Sequence, residues 1–457
     1  MSNPTAASRG RQSFSYSWVI LATGFGIMVL SSGLNMSFGV FVRTLINDYG
    51  WTTSMVSLTY SIFMLSAGVA SFTAGRLADR FSPRLIFLAG SLIYGLGILL
   101  ASQTTSLLHL YLFYGVMAGI GNSPMNIVAT MTVSRWFSKA QGLAMGILNS
   151  GTGAGPAIFG PLAGYLIVTY GWKDSYIILG LMAWGIALSA FMLLRNDPQD
   201  LGARPYGDEG AGAGASRTSR ALVMEGAPTK VWPFREIVRT RTFWELSIVH
   251  FACCVCHAIP LLHIVPYAEQ VGLSKLSAAW ILGISGVTSF AGRIFWGMYA
   301  DRRGTKPAFV MSTFAQALMM IWVIEARHPV MLYVWATVWG FSYGGVMPPY
   351  ALFVKQYYGM AAFGVTYGAI MVAAQLGMAS GGLAAGLLYD LSGSYTSSWI
   401  LSIVSGLVTA FVAMDLKAPS QETTPAERVL SQRLSSTTPV SLETPQSHSD
   451  RASAQLR

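Results

Sequence analysis

Gly75-Arg-Leu-Ala-Asp-Arg-Phe-Ser-Pro-Arg84 follows one long apolar stretch, and Gly297-Met-Tyr-Ala-Asp-Arg-Arg-Gly-Thr-Lys306 follows another. The two stand 222 residues apart, matching Gly75 with Gly297, Ala78 with Ala300, Asp79 with Asp301 and Arg80 with Arg302. The same gapless offset extends outward in both directions. It pairs Gly50 with Gly272, Leu110 with Leu332, Tyr111 with Tyr333, Gly142 with Gly364, Gly146 with Gly368, Gly164 with Gly386 and Gly171 with Gly393. One offset serving several helices and loops marks an internal duplication, and membrane transporters are commonly built from such repeats.

The composition surrounding these loops is that of a membrane protein. Apolar residues make up 53% of the 457 and charged residues 11%, where soluble domains have about 45–50% and roughly 25%. Mean hydropathy is +0.49. Soluble enzymes are excluded on this balance, and no Walker A, H-E-x-x-H or nucleophile-elbow pattern argues otherwise. A bilayer core of about 30 Å needs about 20 apolar residues per helix. Twelve such stretches occur, near 18–42, 53–75, 85–102, 107–131, 142–168, 175–194, 243–268, 277–299, 308–325, 331–354, 365–389 and 396–414. The expected fold is therefore all-α and membrane-spanning, twelve transmembrane helices in two six-helix repeats. Six spans per half is an even number, so the repeats are parallel about an axis along the membrane normal, with a ligand site expected between them near the midplane.

The domain reading follows. Residues 1–16 form a polar tail, 17–195 and 242–416 the two bundles, 196–241 a Gly, Ala, Ser and Pro-rich linker, and 417–457 a disordered tail. No short apolar core with a cleavage site opens the chain, so the first span is not read as a removable signal. Lys and Arg exceed Asp and Glu by 29 to 19. All but five of the 29 fall in the termini, the linker and the even-to-odd loops; Arg43, Lys173, Lys275 and Arg327 lie opposite, and Arg293 is inside a helix. Positive charge collects on the cytoplasmic side, so a multi-pass cell-membrane protein with both termini in the cytoplasm is expected. No aromatic-interleaved basic face supports nucleic-acid binding.

The doubled loop resembles the G-x-x-x-D-R-x-x-x-[RK] signature of the major facilitator superfamily, and twelve spans in two halves accord with that fold. The resemblance implies gating roles for Gly75, Asp79, Arg80, Arg84, Gly297, Asp301, Arg302 and Lys306. Ser134-Arg-Trp-Phe-Ser-Lys-Ala-Gln-Gly-Leu-Ala-Met-Gly146, continuing to Gly155-Pro156, is similar to the R-[WY]-F-x-K-x-R-G-x-A-x-G stretch of the monocarboxylate transporters and the oxalate/formate antiporters, with Gln141 where that pattern has Arg. Ser17-Trp18, Gly50-Trp51-Thr52 and His263-Ile-Val-Pro266 also resemble that branch, over roughly residues 16 to 416.

Arg293 carries the functional reading. Its partner under the repeat offset is Ser71, so its charge belongs to one copy only. An ionisable residue within a membrane helix is expensive and by default functional, and a guanidinium offers a planar fork that fits a carboxylate. The alternative is a side chain snorkelling to the nearby helix end. In the resembled families an Arg at this place binds the substrate carboxylate. The oxalate carriers add a Lys in helix 11, where this chain reads Val372-Ala-Ala-Gln375, and a single cation favours a monocarboxylate. The animal monocarboxylate transporters have a Lys in helix 1, here Leu34-Asn-Met-Ser37, and an Asp four residues before the Arg, here Ser289. Without that Asp, His257 is the replacement proton-coupling candidate, with His250 and His263 about two turns away on either side. Asn35, Asn122, Asn149, Tyr343 and Gln375 are expected to line the site and donate hydrogen bonds, each alternatively serving as an interhelical tie.

The expectation is a secondary transporter of a small organic monoanion of the lactate or pyruvate kind, working by alternating access as proton symporter or exchanger, as a monomer and with no cofactor. Cys253, Cys254 and Cys256 with His257 are not read as a metal site, because adjacent side chains on a helix diverge by about 100°. Two rivals stand. An exporter of hydrophobic or cationic compounds calls for an acid in the membrane core, whereas Glu245, Glu325, Asp390 and Asp415 lie near helix ends. A substrate-sensing receptor would show binding without flux.

Overall fold

The computed structural model describes residues 5–51, 53–207 and 232–418. Regular structure there is helical, with one isolated bridge between Phe137 and Tyr206. Helices stand at each of the twelve expected stretches: α1 (Thr5–Tyr49), α2 (Thr53–Arg80), α3 (Pro83–Ala101), α4, α5, α6, α7 (Arg241–Gln270), α8 (Lys275–Arg303), α9 (Thr305–Glu325), α10, α11 (Phe363–Ser392) and α12 (Thr396–Asp415). Helix α4 runs from Leu107–Leu110 through a π-helical stretch, Tyr111–Ala118, into Gly119–Trp136. The 53-residue Gln141–Leu193 turns at Gly171 (φ 81°, ψ 166°), which divides it into α5 (141–170) and α6 (172–193). Helix α10 has two pieces, Pro329–Gly344 and Pro348–Tyr358. Among the described residues nine helices, with Gln141–Leu193 taken as one, are long and apolar enough to cross a membrane; α4 and α8 complete the series.

The repeat seen in the sequence is present in the backbone. Gly50 and Gly272 both have positive φ, 67° and 98°, and so do Gly171 and Gly393, 81° and 67°. These are equivalent turns at the ends of equivalent helices, in a region where a β-carbon is strained. The offset carries α2 onto α8 and α5 onto α11, and the two close contacts between the halves, α2 along α11 and α8 along α5, are copies of each other.

Packing distinguishes the two ends of the molecule. One continuous apolar core joins the first half to Trp296, Phe309, Tyr350, Phe353, Phe363 and Ile370 of the second, which lie toward the terminus-bearing end, where α1 starts and α12 stops. The opposite end of the second half has its own core, around Ile259, Met320, Trp335, Trp339 and Trp399. The halves are thus sealed together at the terminus-bearing end. On the outside, Val69, Val168, Val287 and Leu391 are exposed. Leaving such side chains in water would cost about 1.5–3 kcal/mol each, so this surface is suited to lipid.

Two of the expected connecting segments carry structure. Helix α1 begins at Thr5, so the segment read as a polar tail is helical over residues 5–16. The linker is built at both ends. Tyr206 N donates to Trp136 O (2.9 Å), Ser138 and Lys139 N donate to Tyr206 O (3.1 and 3.0 Å), and Arg135 pairs with Asp197 (3.0 Å). At the far end the short helix Phe234–Ile237 brings Phe234 to 5.5 Å from Phe72 of α2. Linker positions 208–231 and tail positions 419–457 lie outside the described residues.

Candidate functional site

Arg293 sits on the face of α8 that meets the first half, one turn from Gly297 and two from Asp301. Its backbone carbonyl lies so near Gly146 of α5 that no β-carbon would fit there. This close approach of two helices through glycine lets the side chain cross the seam. Arg293 is 4% exposed, Nη1 donates to the main-chain oxygen of Asn149 (2.9 Å), and Nε has no partner. Gly153, one turn further along α5, makes room for the guanidinium; a β-carbon there would stand 3.2 Å from Nη1. The described ion pairs lie at the terminus-bearing surface and none includes Arg293.

The wall facing Arg293 is aromatic. Its guanidinium carbon is 5.8 Å from the centre of the Tyr343 ring, at the end of a ladder on α10 in which Trp335, Trp339 and Tyr343 stack one turn apart at 5.0 and 5.3 Å. The His257 ring lies 5.0 Å from Tyr343, with Nδ1 3.9 Å from Cys253 Sγ and Nε2 unpartnered. Ser289 Oγ, one turn before Arg293, is buried without a partner as well. A membrane-centre Arg costs about 2.5–3.5 kcal/mol on insertion scales, and one charge-assisted hydrogen bond returns about 1.5–3 kcal/mol. The balance is close.

The structure thus gathers Arg293, Asn149, Tyr343 and His257, with one change of role: the Asn149 side chain donates back to Met145 O (2.9 Å), and its carbonyl faces the arginine. Asn122 is drawn into a network within the first half, donating to Ser31 Oγ (2.8 Å) and accepting from Asn126 (3.0 Å). Asn35 keeps an unpartnered Oδ1, while its carbonyl takes the Tyr114 hydroxyl (3.2 Å) from the π-helical turn of α4. Gln375 lies over Gly68 of α2. The three thiols diverge, Cys253 toward His257, Cys254 onto Gly377 of α11 and Cys256 toward Ser402 of α12.

The doubled loops join the halves reciprocally. Asp79 accepts from the backbone N–H of Gly364 (2.8 Å) and Val365 (2.7 Å), and Asp301 accepts from Gly142 (2.7 Å) and Leu143 (2.8 Å). Each carboxylate thereby closes the first turn of a helix in the other half, where free N–H groups and the helix dipole favour an anion. Gly75 against Gly364, and Gly142 against Gly297, allow the contact. Arg84 binds elsewhere: its Nε donates to Phe191 O (2.8 Å) and its guanidinium lies 4.1 Å from the Phe191 ring, so it ties α3 to α6 within one half. Lys306 donates to Leu416 O (2.9 Å), which also keeps it within its own half. Lys355, missed by the sequence reading, crosses the seam. It is half-buried at the end of α10 and donates to Ser134 O and, at 2.9 Å, to Phe137 O, at the end of α4.

Comparison with known proteins places this architecture. The family model described as Major Facilitator Superfamily matches residues 23–381 and 257–446. The chain belongs to the Major Facilitator Superfamily. It is a multi-pass membrane transporter. It is 26% identical to monocarboxylate transporter 13 of Bos taurus over 397 residues, covering 85% of this chain and 86% of that one. Monocarboxylate transporter 11 of Mus musculus is 23% identical, with 88% and 87% covered. The proton:xylose symporter XylE shares the fold, with TM-score 0.68 at 13% identity over 88% of this transporter and 95% of XylE.

Proposed function

We propose that this transporter carries a small organic monocarboxylate across the membrane by alternating access, with Arg293 receiving the carboxylate. The observation that carries the reading is a buried guanidinium at the seam of the two halves, with an unpartnered Nε and a main-chain carbonyl as acceptor. A carboxylate can take two N–H bonds from such a fork and cancel its charge. Tyr343 stands beside it to donate a hydroxyl. The relatives named as monocarboxylate transporters support the substrate class.

Transport follows from what the anion does to the seam. Residues 17–195 rock against 242–416 around Arg293. The empty site leaves a buried charge without a counter-ion at the seam, and the loaded site is neutral there, so the loaded carrier reorients more readily. His257, close to the same tyrosine, is the proton-coupling group. Imidazolium beside an unpaired guanidinium places two like charges in one pocket; a bound carboxylate relieves both, so anion and proton favour each other's binding. Purified protein in liposomes should take up labelled lactate or pyruvate, and Arg293→Ala should abolish uptake while the variant still folds. Normal uptake by Arg293→Ala would sink the assignment. For coupling, His257→Gln should lose acceleration by an inward proton gradient, and an unchanged pH profile refutes it.

A further inference from the structure

The geometry points to His250 as a second proton-carrying group, one step nearer the terminus-bearing end than His257, the pair passing a proton along α7 past the break in α10. The inference rests on the proton-coupling reading of His257.

Helical spacing places His250, Cys253, Cys254 and His257 on one face of α7, at i, i+3, i+4 and i+7. That face meets both pieces of α10. His257 lies 5.0 Å from Tyr343 on the first piece, while the His250 ring lies flat on Tyr350 of the second, 3.6 Å between centres and 11° between planes. Between the pieces Gly345–Met347 interrupt the helix, and Pro348 and Pro349 bring no N–H to repair it. The two histidines therefore straddle a hinge, and Cys253, 3.9 Å from His257 Nδ1, lies between them on α7.

Both rings are buried, and neither nitrogen of His250, nor His257 Nε2, has a partner. Each such atom carries the desolvation cost of a polar group left without a partner. A hydrophobic side chain would fill the place of His250 without that cost, since Tyr350 and Phe309, 5.2 Å apart, already form an aromatic wall. What phenylalanine could not do there is bind a proton. The titratable and charged groups facing the pair are Tyr350 from α10 and Cys253, Cys254 and His257 on α7 for His250, and Arg293 from α8, Tyr343 from α10 and Cys253 for His257. These groups include no carboxylate, so the charge that makes a proton tolerable is the substrate's own. When the terminus-bearing end opens and water enters the roughly 10 Å of helix between the two positions, an N–H bond of the His257 imidazolium breaks as that water takes the proton, an N–H bond forms on His250 as the water gives one up, and His250 releases its proton to bulk water. Only H⁺ moves.

The test uses the full chain in liposomes with labelled lactate as probe, read in two ways: exchange at equal pH on both sides, and net uptake driven by an inward proton gradient. His250→Gln should keep exchange and lose gradient-driven acceleration by about tenfold or more. His250→Phe, which preserves the stack on Tyr350, should behave alike and guards against a folding defect. Gradient acceleration retained in both His250 variants while His257→Gln loses it overturns this inference and leaves the parent reading intact. Acceleration retained in His257→Gln overturns the parent reading, and this inference with it.

Discussion

At the scale of the residue, Arg293 was legible because a single charge in an apolar helix, absent from the other repeat, cannot be hidden in a sequence. What it touches was not. Its acceptor is a main-chain oxygen of Asn149, and every residue type has one of those. Nor does composition reveal that Gly153 is the cradle of the guanidinium, since glycines crowd that stretch of α5 for packing. The geometry makes a specific prediction. Gly153→Ala forces Nη1 to give way by a few tenths of an ångström, so the KM for lactate should rise about tenfold, the order of one distorted charge-assisted bond, with little change in melting temperature. An unchanged KM would show that the guanidinium is not seated there. Arg293→Lys should not rescue transport, because an ammonium lacks the planar fork; near-normal uptake by the lysine variant would indicate a point-charge role instead.

At the scale of the element, the duplicated Gly-x-x-x-Asp loops could be found by alignment of the chain with itself, and their partners follow the same offset, Gly142 and Gly364. Lys355 escaped for the opposite reason. It is unrepeated, Val133 occupying its place in the first half, and its acceptors are again backbone carbonyls more than two hundred residues away. Asn122 stays open to both of its readings, because a buried amide serves a site or a helix–helix tie equally well; in the structure it bonds to Ser31 and Asn126. Asp79→Asn and Asp301→Asn should each weaken closure of the terminus-bearing end by roughly 1–2 kcal/mol, the scale of a partly buried charge at a helix N-terminus. Raised cysteine accessibility on that side, similar for the two variants, is the measurement; a large effect from one and none from the other would contradict the reciprocal geometry. Lys355→Met keeps the apolar stem and removes the donor, and should raise accessibility of the same end. Unaltered labelling would reduce Lys355 to a helix cap.

At the scale of the molecule, the two cores differ in reach. One spans the seam at the terminus-bearing end and the other stays within the second half, so the structure is a carrier sealed on one side. If cargo neutralises the seam, labelled lactate should exchange against unlabelled lactate faster than it moves alone, because the return of the empty carrier strands the charge of Arg293. Equal rates of exchange and net uptake would remove that coupling from the account. The alternation of apolar stretches and basic loops foretold the helical plan, whereas the sealed end depends on α2 meeting α11 and α8 meeting α5, contacts between distant parts of the chain that no local pattern encodes.

The candidate site is lopsided. Arg293, Tyr343, His257 and Ser289 all belong to the second half, and the first half offers a carbonyl and the bare backbone of a glycine. On the proposed reading a cargo is a passenger of one half, and the other half is the rail along which it slides. Selectivity could then change through substitutions in a single repeat, while the aspartates that bridge the halves stay as they are. Duplication supplied two equal halves, and the division of labour between them rests on a few side chains of one copy.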